Sequence, residues 1–184
     1  MDLTSLPTWW KTLDSFGLSS KFRMELDHLA RLSASPHSGR TTGTLSFLTE
    51  EGIAQMAINL LPFFQHLVIK CGERGVIVVM RVSRQTKWAS EKSNIHKRYI
   101  VSSGNGNGDV VVLQHFPASH VPPESIVNVT GAGDTLVASI LASLVQNPRG
   151  FEDPELLNKI MGKAQAAAVL TLQSELAVSP LLSS

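Results

Sequence analysis

The sequence predicts an α/β fold: a partly parallel sheet with an antiparallel hairpin at one edge, and helices packed on the sheet. Residues 67–80 contain two apolar runs around a glycine-bounded turn, which is typical of a strand–turn–strand element. Residues 99–101 and 110–113 are further short runs of strand-forming residues. Residues 131–146 and 154–172 carry apolar side chains at helical spacing.

Composition favours one globular domain. The chain has 184 residues, of which 43% are hydrophobic and 17% charged, so it can bury a sizeable core. The net charge of +1 gives no reason to expect a nucleic-acid partner. Cys71 is the single cysteine and cannot form an internal disulfide, which favours a reducing compartment. Neither a signal peptide nor an apolar run of about 20 residues is visible, so we expect a cytoplasmic protein without a membrane partner.

The first third of the chain predicts helices. Residues 1–33 indicate helical segments with breaks, including a helix over 20–33, and Trp9 and Trp10 are expected to be packing anchors. Residues 34–46 predict an exposed loop. Thr49 is a good N-cap for a following helix that Pro62 ends. The apolar face predicted for this helix consists of Ile53, Met56, Ala57, Leu60 and Leu61.

The middle of the chain combines strands with polar connections. Residues 83–97 are polar and basic, and we expect a solvated loop rather than a binding patch. Residues 104–109 are rich in glycine and asparagine, which predicts a hairpin connection. His115 and His120 have no visible partner, so the sequence favours loop histidines without chemistry over acid–base residues.

Two helices are expected in the last third. The apolar stripe of the first, over 131–146, is predicted to be Val137, Ile140, Leu141 and Leu144. Asp153 and Pro154 are typical of an N-cap followed by the first helical residue. The inner face predicted for this second helix consists of Leu156, Leu157, Ile160, Met161, Ala164, Ala167, Ala168 and Leu172.

A glycine turn precedes the first of these helices. Residues 128–134 have the sequence Asn-Val-Thr-Gly-Ala-Gly-Asp, and the glycine backbone can approach a ligand closely. The first amides of a helix have no intrahelical acceptor and lie at the positive end of its dipole, so they can bind an anion. A carboxylate at Asp134 would repel phosphate, unless it takes the proton of the nucleophile that attacks it. The alternative is an ordinary glycine-rich helix start in which Asp134 is a capping residue.

Thr130-Gly131-Ala132-Gly133-Asp134 at the start of a long helix resembles the signature of the PfkB/ribokinase-like family of sugar and nucleoside kinases. The resemblance implies that Asp134 is the catalytic base. It implies that Gly131, Ala132 and Gly133 form an anion hole for the transferred phosphoryl group. ATP and Mg²⁺ are then the expected cofactors, and a small sugar or nucleoside is the expected substrate.

The same resemblance extends to other residues. Gly72 and Gly75 would line the ATP site, although a plain hairpin turn explains them equally well. Ala164 and Ala168 would flank the adenine, although close helix packing is an equal alternative. The predicted nucleotide site also includes Thr130 and Asn128; many family members have Asp at the position of Asn128, where in some it holds a monovalent cation.

The resemblance covers residues 48–180 and corresponds to the C-terminal half of a three-layer α/β/α kinase domain, with residues 1–47 as a lead-in. The Asn-x-x-Glu motif that the family carries upstream is not found in this sequence. We therefore expect a partial domain whose missing partner is an N-terminal half, or a fused glycosidase domain as in pseudouridine kinases, which the motif resembles most. The alternatives are a non-catalytic nucleotide-binding or interaction remnant, and a kinase with ribokinase- or adenosine-kinase-like specificity.

Overall fold

The computed structural model describes residues 52–91, 98–102 and 109–183. The expectations for residues 1–51 and for the hairpin connection after residue 102 lie outside the described residues. The described residues form two compact units. The first holds residues 52–67, 79–84, 91, 98–102 and 109–114, and the second holds residues 68–78, 85–90 and 115–183.

Seven regular elements are described, and they confirm the predicted order of helices and strands. Backbone hydrogen bonds connect the strands in the order β1-β2-β4-β3. Short 3₁₀ turns lie at Gly72–Arg74, Lys87–Ser90, Pro123–Ser125 and Pro180–Ser183. The elements are α1 (Ile53–Leu60), β1 (His66–Lys70), β2 (Val76–Ser83), β3 (Arg98–Ser102), β4 (Asp109–Phe116), α2 (Ala132–Gln146) and α3 (Pro154–Leu172).

In the first unit, β3 and β4 form the predicted antiparallel pair. The register runs from Arg98 opposite Gln114 to Ser102 opposite Val110. Arg98 Nε donates to Gln114 Oε1 at 3.2 Å, and its guanidinium also pairs with Glu91. The buried side chains of β4 in this unit include Val110, Val111, Val112 and Leu113.

Helix α1 buries only part of its predicted apolar face. Ala57 and Leu61 are buried, whereas Met56 and Leu60 are exposed. Ala57 and Leu61 lie one helical turn apart and share one face, while Met56 and Leu60 are each rotated by about 100° from it. The prediction that Met56 and Leu60 belong to the buried face is therefore wrong.

In the second unit, helix α2 packs against α3. The buried residues of α2 are Thr135, Leu136, Ile140 and Ser143, so the predicted stripe is wrong at Val137 and Leu141, which are exposed. The stripe is displaced because Thr135 Oγ1 lies 3.1 Å from Thr171 Oγ1 of α3. This buried hydrogen bond directs the side of α2 that carries Thr135 and Leu136 toward α3.

The start of α3 is as predicted. Asp153 is the N-cap, and its Oδ1 accepts hydrogen bonds from the amides of Glu155 and Leu156. Lys87 Nζ also pairs with this carboxylate. The hydrogen bond from Lys87 holds the pKa of Asp153 below its ordinary value, and the same bond raises the pKa of Lys87.

The prediction of a solvated loop over residues 83–97 is wrong for the part near Trp88. Trp88 is fully buried, and its Nε1 donates to the carbonyl oxygen of Phe151 at 2.7 Å. A basic stretch therefore contains an aromatic anchor that fixes residues 87–90 to the turn before α3. Composition averages over such a stretch and does not reveal that Trp88 is buried.

Replacing Trp88 should destabilise the protein, and the loss of stability should be larger when more of the side chain is removed. We expect Trp88→Ala to lower the free energy of unfolding by about 3–5 kcal/mol, because a large buried ring leaves a cavity. Trp88→Phe should cost about 1–3 kcal/mol, since it removes the N–H donor but keeps a ring. Denaturant unfolding measures both, with Val145→Ala at a highly exposed position of α2 as the control. Equal stability of Trp88→Ala and Val145→Ala would contradict the packing described.

Candidate active site at the glycine turn

The glycine turn opens α2 as predicted. Asn128 Oδ1 accepts a hydrogen bond from the Thr130 amide at 2.9 Å and so bends the chain before the helix. Gly131 is the N-cap residue, with a left-handed φ of 81°, and no side chain caps α2 among the described residues. The Thr135 amide donates to the Gly131 carbonyl at 2.8 Å as in a regular helix. The amides of the three residues between them, Ala132, Gly133 and Asp134, precede the intrahelical ladder and are available to an anion.

Asp134 is the third helical residue and is open to solvent. Its side chain is 90% exposed, so it does not lie in a packed interior. In the described part of the chain, Asp134 accepts no hydrogen bond from the helix start, which leaves the capping alternative without support. Its charged neighbour is Lys70, whose Nζ lies 3.8 Å from Asp134 Oδ1.

Lys70 is a site residue that sequence reasoning missed. It ends β1, and a Cβ placed on Gly133 would lie only 3.0 Å from its Nζ. The ammonium group therefore lies over the first turn of α2, beside both Gly133 and Asp134. The sequence signal was a basic residue that ends an apolar strand directly before a glycine turn, but Lys70 and Asp134 are far apart in sequence, so local pattern cannot pair them.

The turn is also held from its other side by the last residue of α3 and by residues that follow this helix. Asn128 Nδ2 donates to the Glu175 carbonyl at 3.3 Å, and the Asn128 amide donates to the Leu172 carbonyl at 3.1 Å. A Cβ on Gly131 would lie 1.8 Å from the Ala177 carbonyl oxygen. The side-chain amide of Asn128 thus binds Thr130 through its oxygen and Glu175 through its nitrogen, and both contacts hold the turn. Gly131 is glycine because the Ala177 backbone occupies the space that a side chain would need.

The second predicted element is the turn between β1 and β2. Gly72 is exposed, with open space where a Cβ would be. Gly75 is buried, with φ of 93°, and a Cβ there would lie 2.1 Å from the Phe116 carbonyl oxygen. Packing therefore explains Gly75, whereas Gly72 leaves room for a ligand.

His115 is not in a loop, and that expectation is wrong. Strand β4 continues to Phe116, and His115 is buried within it. His115 Nε2 lies 2.6 Å from the Arg74 carbonyl oxygen in the turn before β2. The strand extends three residues beyond the predicted Leu113, and Gln114, His115 and Phe116 are buried as well.

The third predicted element is the alanine-rich part of α3. Ala164 is fully buried, so helix packing accounts for it, while Ala168 is partly exposed. The structure thus brings Asp134, Gly133 and Lys70 together within a few ångströms. Lys70 also lies two residues before Gly72. The end of β1 is therefore next to the turn over residues 72–75 as well as to the glycine turn before α2.

Metal ligands and membrane-spanning helices are two further features that the described residues could carry. Among them, no group of three or more histidine, cysteine or acidic side chains is placed to hold a metal ion. None of the described helices has the length and apolar character needed to cross a membrane.

Comparison with known proteins gives two matches. The family model of the pfkB family carbohydrate kinases matches residues 82–183, more than half of the chain. A pseudouridine-metabolizing bifunctional protein of Schizosaccharomyces pombe is 30% identical over 176 residues, which is 94% of this chain and therefore includes most of residues 1–47. The chain spans about a fifth (19%) of the length of that protein. No solved structure matches significantly.

Replacing each of the two glycines of the turn by alanine should change the stability of the protein differently. Gly131→Ala combines a left-handed φ with a backbone overlap at Ala177, so we expect it to lower the melting temperature strongly. Gly133→Ala meets only the movable end of Lys70, and alanine is favoured over glycine in helices by up to about 1 kcal/mol, so stability should be kept or raised. Thermal unfolding followed by circular dichroism distinguishes them. A Gly133→Ala variant as unstable as Gly131→Ala would contradict the geometry of this turn.

Proposed function

Since the chain belongs to the pfkB family of carbohydrate kinases, a family with a ribokinase-like α/β fold, we propose that it contributes the catalytic part of an ATP-dependent phosphotransferase. The reaction transfers the γ-phosphoryl group to a hydroxymethyl group of a sugar or nucleoside. In this proposal residues 48–180 are the C-terminal half of a three-layer α/β/α domain, and another segment supplies the sugar-binding half.

The observation that carries the proposal is the exposed Asp134 beside the open amides of α2. Asp134 accepts the proton of the attacking hydroxyl, and the amides of Ala132, Gly133 and Asp134 donate hydrogen bonds to the transferring phosphoryl group. Gly131 sets the direction of the turn. In a phosphoryl transfer these residues act through position and electrostatics, since little covalent chemistry is left to the protein.

Lys70 resolves the conflict between a carboxylate and an anionic substrate. With its Nζ 3.8 Å from Asp134, its positive charge offsets the negative charge that an approaching phosphoryl group would meet. Both side chains are largely solvent-exposed, and exposed ion pairs contribute only about 0–1 kcal/mol. Lys70 can therefore leave Asp134 and bind a phosphoryl oxygen with little loss of free energy. The Asp134 carboxylate is then available to accept the proton.

The nucleotide is proposed to lie between the two glycine turns and α3. Gly72 leaves open space, Lys70 supplies a cation, and Ala168 is the partly exposed alanine of the predicted adenine wall. Gly75, Thr130, Asn128 and Ala164 then support the site through the backbone and the packing. Mg²⁺ would arrive with the nucleotide as the counter-ion of its phosphates, since the described residues offer no ligand cluster.

The name of the Schizosaccharomyces pombe protein supports pseudouridine as the acceptor. Because the chain spans only 19% of that protein, the acceptor and the whole activity are part of the proposal. A substrate panel on the full gene product compares pseudouridine with ribose and adenosine. Preference for one of the latter two would replace the pseudouridine assignment but keep the kinase.

Asp134→Asn tests the base. We expect it to reduce kcat by about 10²–10⁴-fold in the full gene product while ATP binding persists, because the amide cannot take up a proton at neutral pH. The matched control is Glu124→Gln, an exposed carboxylate in the 3₁₀ turn before the site. Coupled detection of ADP measures turnover, and titration calorimetry measures ATP binding. Turnover of Asp134→Asn at the wild-type rate would refute the assignment, and a wild-type protein that binds ATP but transfers nothing would indicate the non-catalytic alternative.

Lys70 is tested by removing or moving its charge. A charge-assisted hydrogen bond is worth about 1.5–3 kcal/mol, so Lys70→Met should lower kcat/KM for ATP by about 10- to 150-fold. Lys70→Arg keeps the charge and should retain more activity. Lys163→Met, at an exposed position of α3, is the control. If Lys70→Met behaves like this control, Lys70 has no part in the reaction.

A further inference from the structure

We propose that His115 and Gln165 are positioning residues that fix the turn over residues 72–75 to α3 in the arrangement required for nucleotide binding. The inference rests on the proposed function, because it assigns the turn and α3 to one nucleotide site. It concerns two side chains outside the glycine turn of Asp134.

The turn over residues 72–75 is closed by its own backbone. The Cys71 amide donates to the Gly75 carbonyl at 2.8 Å, and the Gly75 amide donates to the Gly72 carbonyl at 3.0 Å. Gly75 also lies directly on the backbone that leaves β4, where a Cβ would approach Phe116, Pro117 and Ala118 to 2.1–2.7 Å. The position of the turn therefore depends on the position of residues 116–118.

His115 anchors the turn from inside the protein. Its side chain is only 2% exposed, and Nε2 lies 2.6 Å from the Arg74 carbonyl oxygen. A carbonyl oxygen can only accept, so Nε2 carries the proton and donates. Arg74 is itself exposed, and its main chain is thus attached to a buried side chain that cannot move far in a packed interior.

Gln165 attaches the same backbone to α3. Its Nε2 donates to the Pro117 carbonyl at 2.9 Å and to the Phe116 carbonyl at 3.3 Å. Its Oε1 accepts from Ser119 Oγ at 3.4 Å, so both ends of the amide are engaged. A glutamine on the alanine-rich face of α3 thus fixes the chain that supports Gly75.

The contacts form one continuous connection from the turn, through His115 and residues 116–119, to Gln165 on α3. This connection joins the element proposed to meet the phosphates with the helix proposed to flank the adenine. Loss of either side chain leaves Gly72 in the sequence but releases the support of its turn. The expected result is weaker nucleotide binding with little change in the chemical step.

The test measures ATP affinity of the chain by titration calorimetry and the KM for ATP and kcat of the full gene product. Gln165→Met keeps the length but removes three hydrogen bonds, and His115→Phe keeps a ring but removes the donor. We expect each to raise the Kd and KM for ATP about three- to tenfold, with kcat nearly unchanged. His115→Gln, whose amide nitrogen can take the place of Nε2, should recover most of the affinity. Gln146→Met, at an exposed position of α2, is the matched control.

A shift of the melting temperature without a change in ATP affinity would show a purely structural role and overturn the inference. Wild-type affinity in both Gln165→Met and His115→Phe would overturn it too, while leaving the proposed function intact. If His115→Phe does not fold, the surface variant Gln165→Met decides alone. A folded wild-type chain and gene product that bind no ATP would instead remove the proposed function, and this inference with it.

Discussion

The site depends on one steric constraint, the absence of a side chain at Gly131. The Ala177 carbonyl oxygen lies 1.8 Å from the position that a Cβ would occupy, and the backbone has a left-handed φ of 81°. These two conditions fix the direction in which the chain enters α2, with Thr135 as a donor to the Gly131 carbonyl. The amides of Ala132, Gly133 and Asp134 precede the helical ladder, as at any helix start, and Gly131 offers no side chain to cap them, which is what an anion-binding helix start requires.

The helix start alone would attract any anion, and in the proposed reaction Asp134 adds a group that can accept a proton. A carboxylate there lowers affinity for phosphate unless another charge compensates, and Lys70 provides that charge from the end of β1. The pair is exposed and hence weak, which suits groups that must change partners during a reaction. A buried pair of the same residues would be held too firmly, since separating buried charges costs several kcal/mol.

Local rules predicted the parts of the structure that local interactions determine. Asp153 caps α3 because its own carboxylate reaches amides two and three residues ahead, and the turn before α2 starts with an Asn128 contact to Thr130. Contacts between distant segments were not predictable in this way. Trp88 donates a hydrogen bond to the Phe151 carbonyl, and Lys70 pairs with Asp134, each across more than sixty residues. The shift of the buried face of α2 toward Leu136 likewise follows from Thr171 on another helix.

The glycines of a motif do not all have the same function, and the atoms around them distinguish the functions. Gly131 and Gly75 are each pressed against another backbone, so selection for folding alone would keep them even in a chain without activity. Gly72 faces open space, but its left-handed φ of 58° is itself a reason for glycine. Gly133 has no such φ and faces the end of Lys70, so neither packing nor backbone conformation gives a reason for glycine there. Close approach by a ligand does give one, because a backbone without a side chain exposes its amide. The evidence for function in this motif therefore lies in Gly133, together with the charges beside it, rather than in the number of glycines.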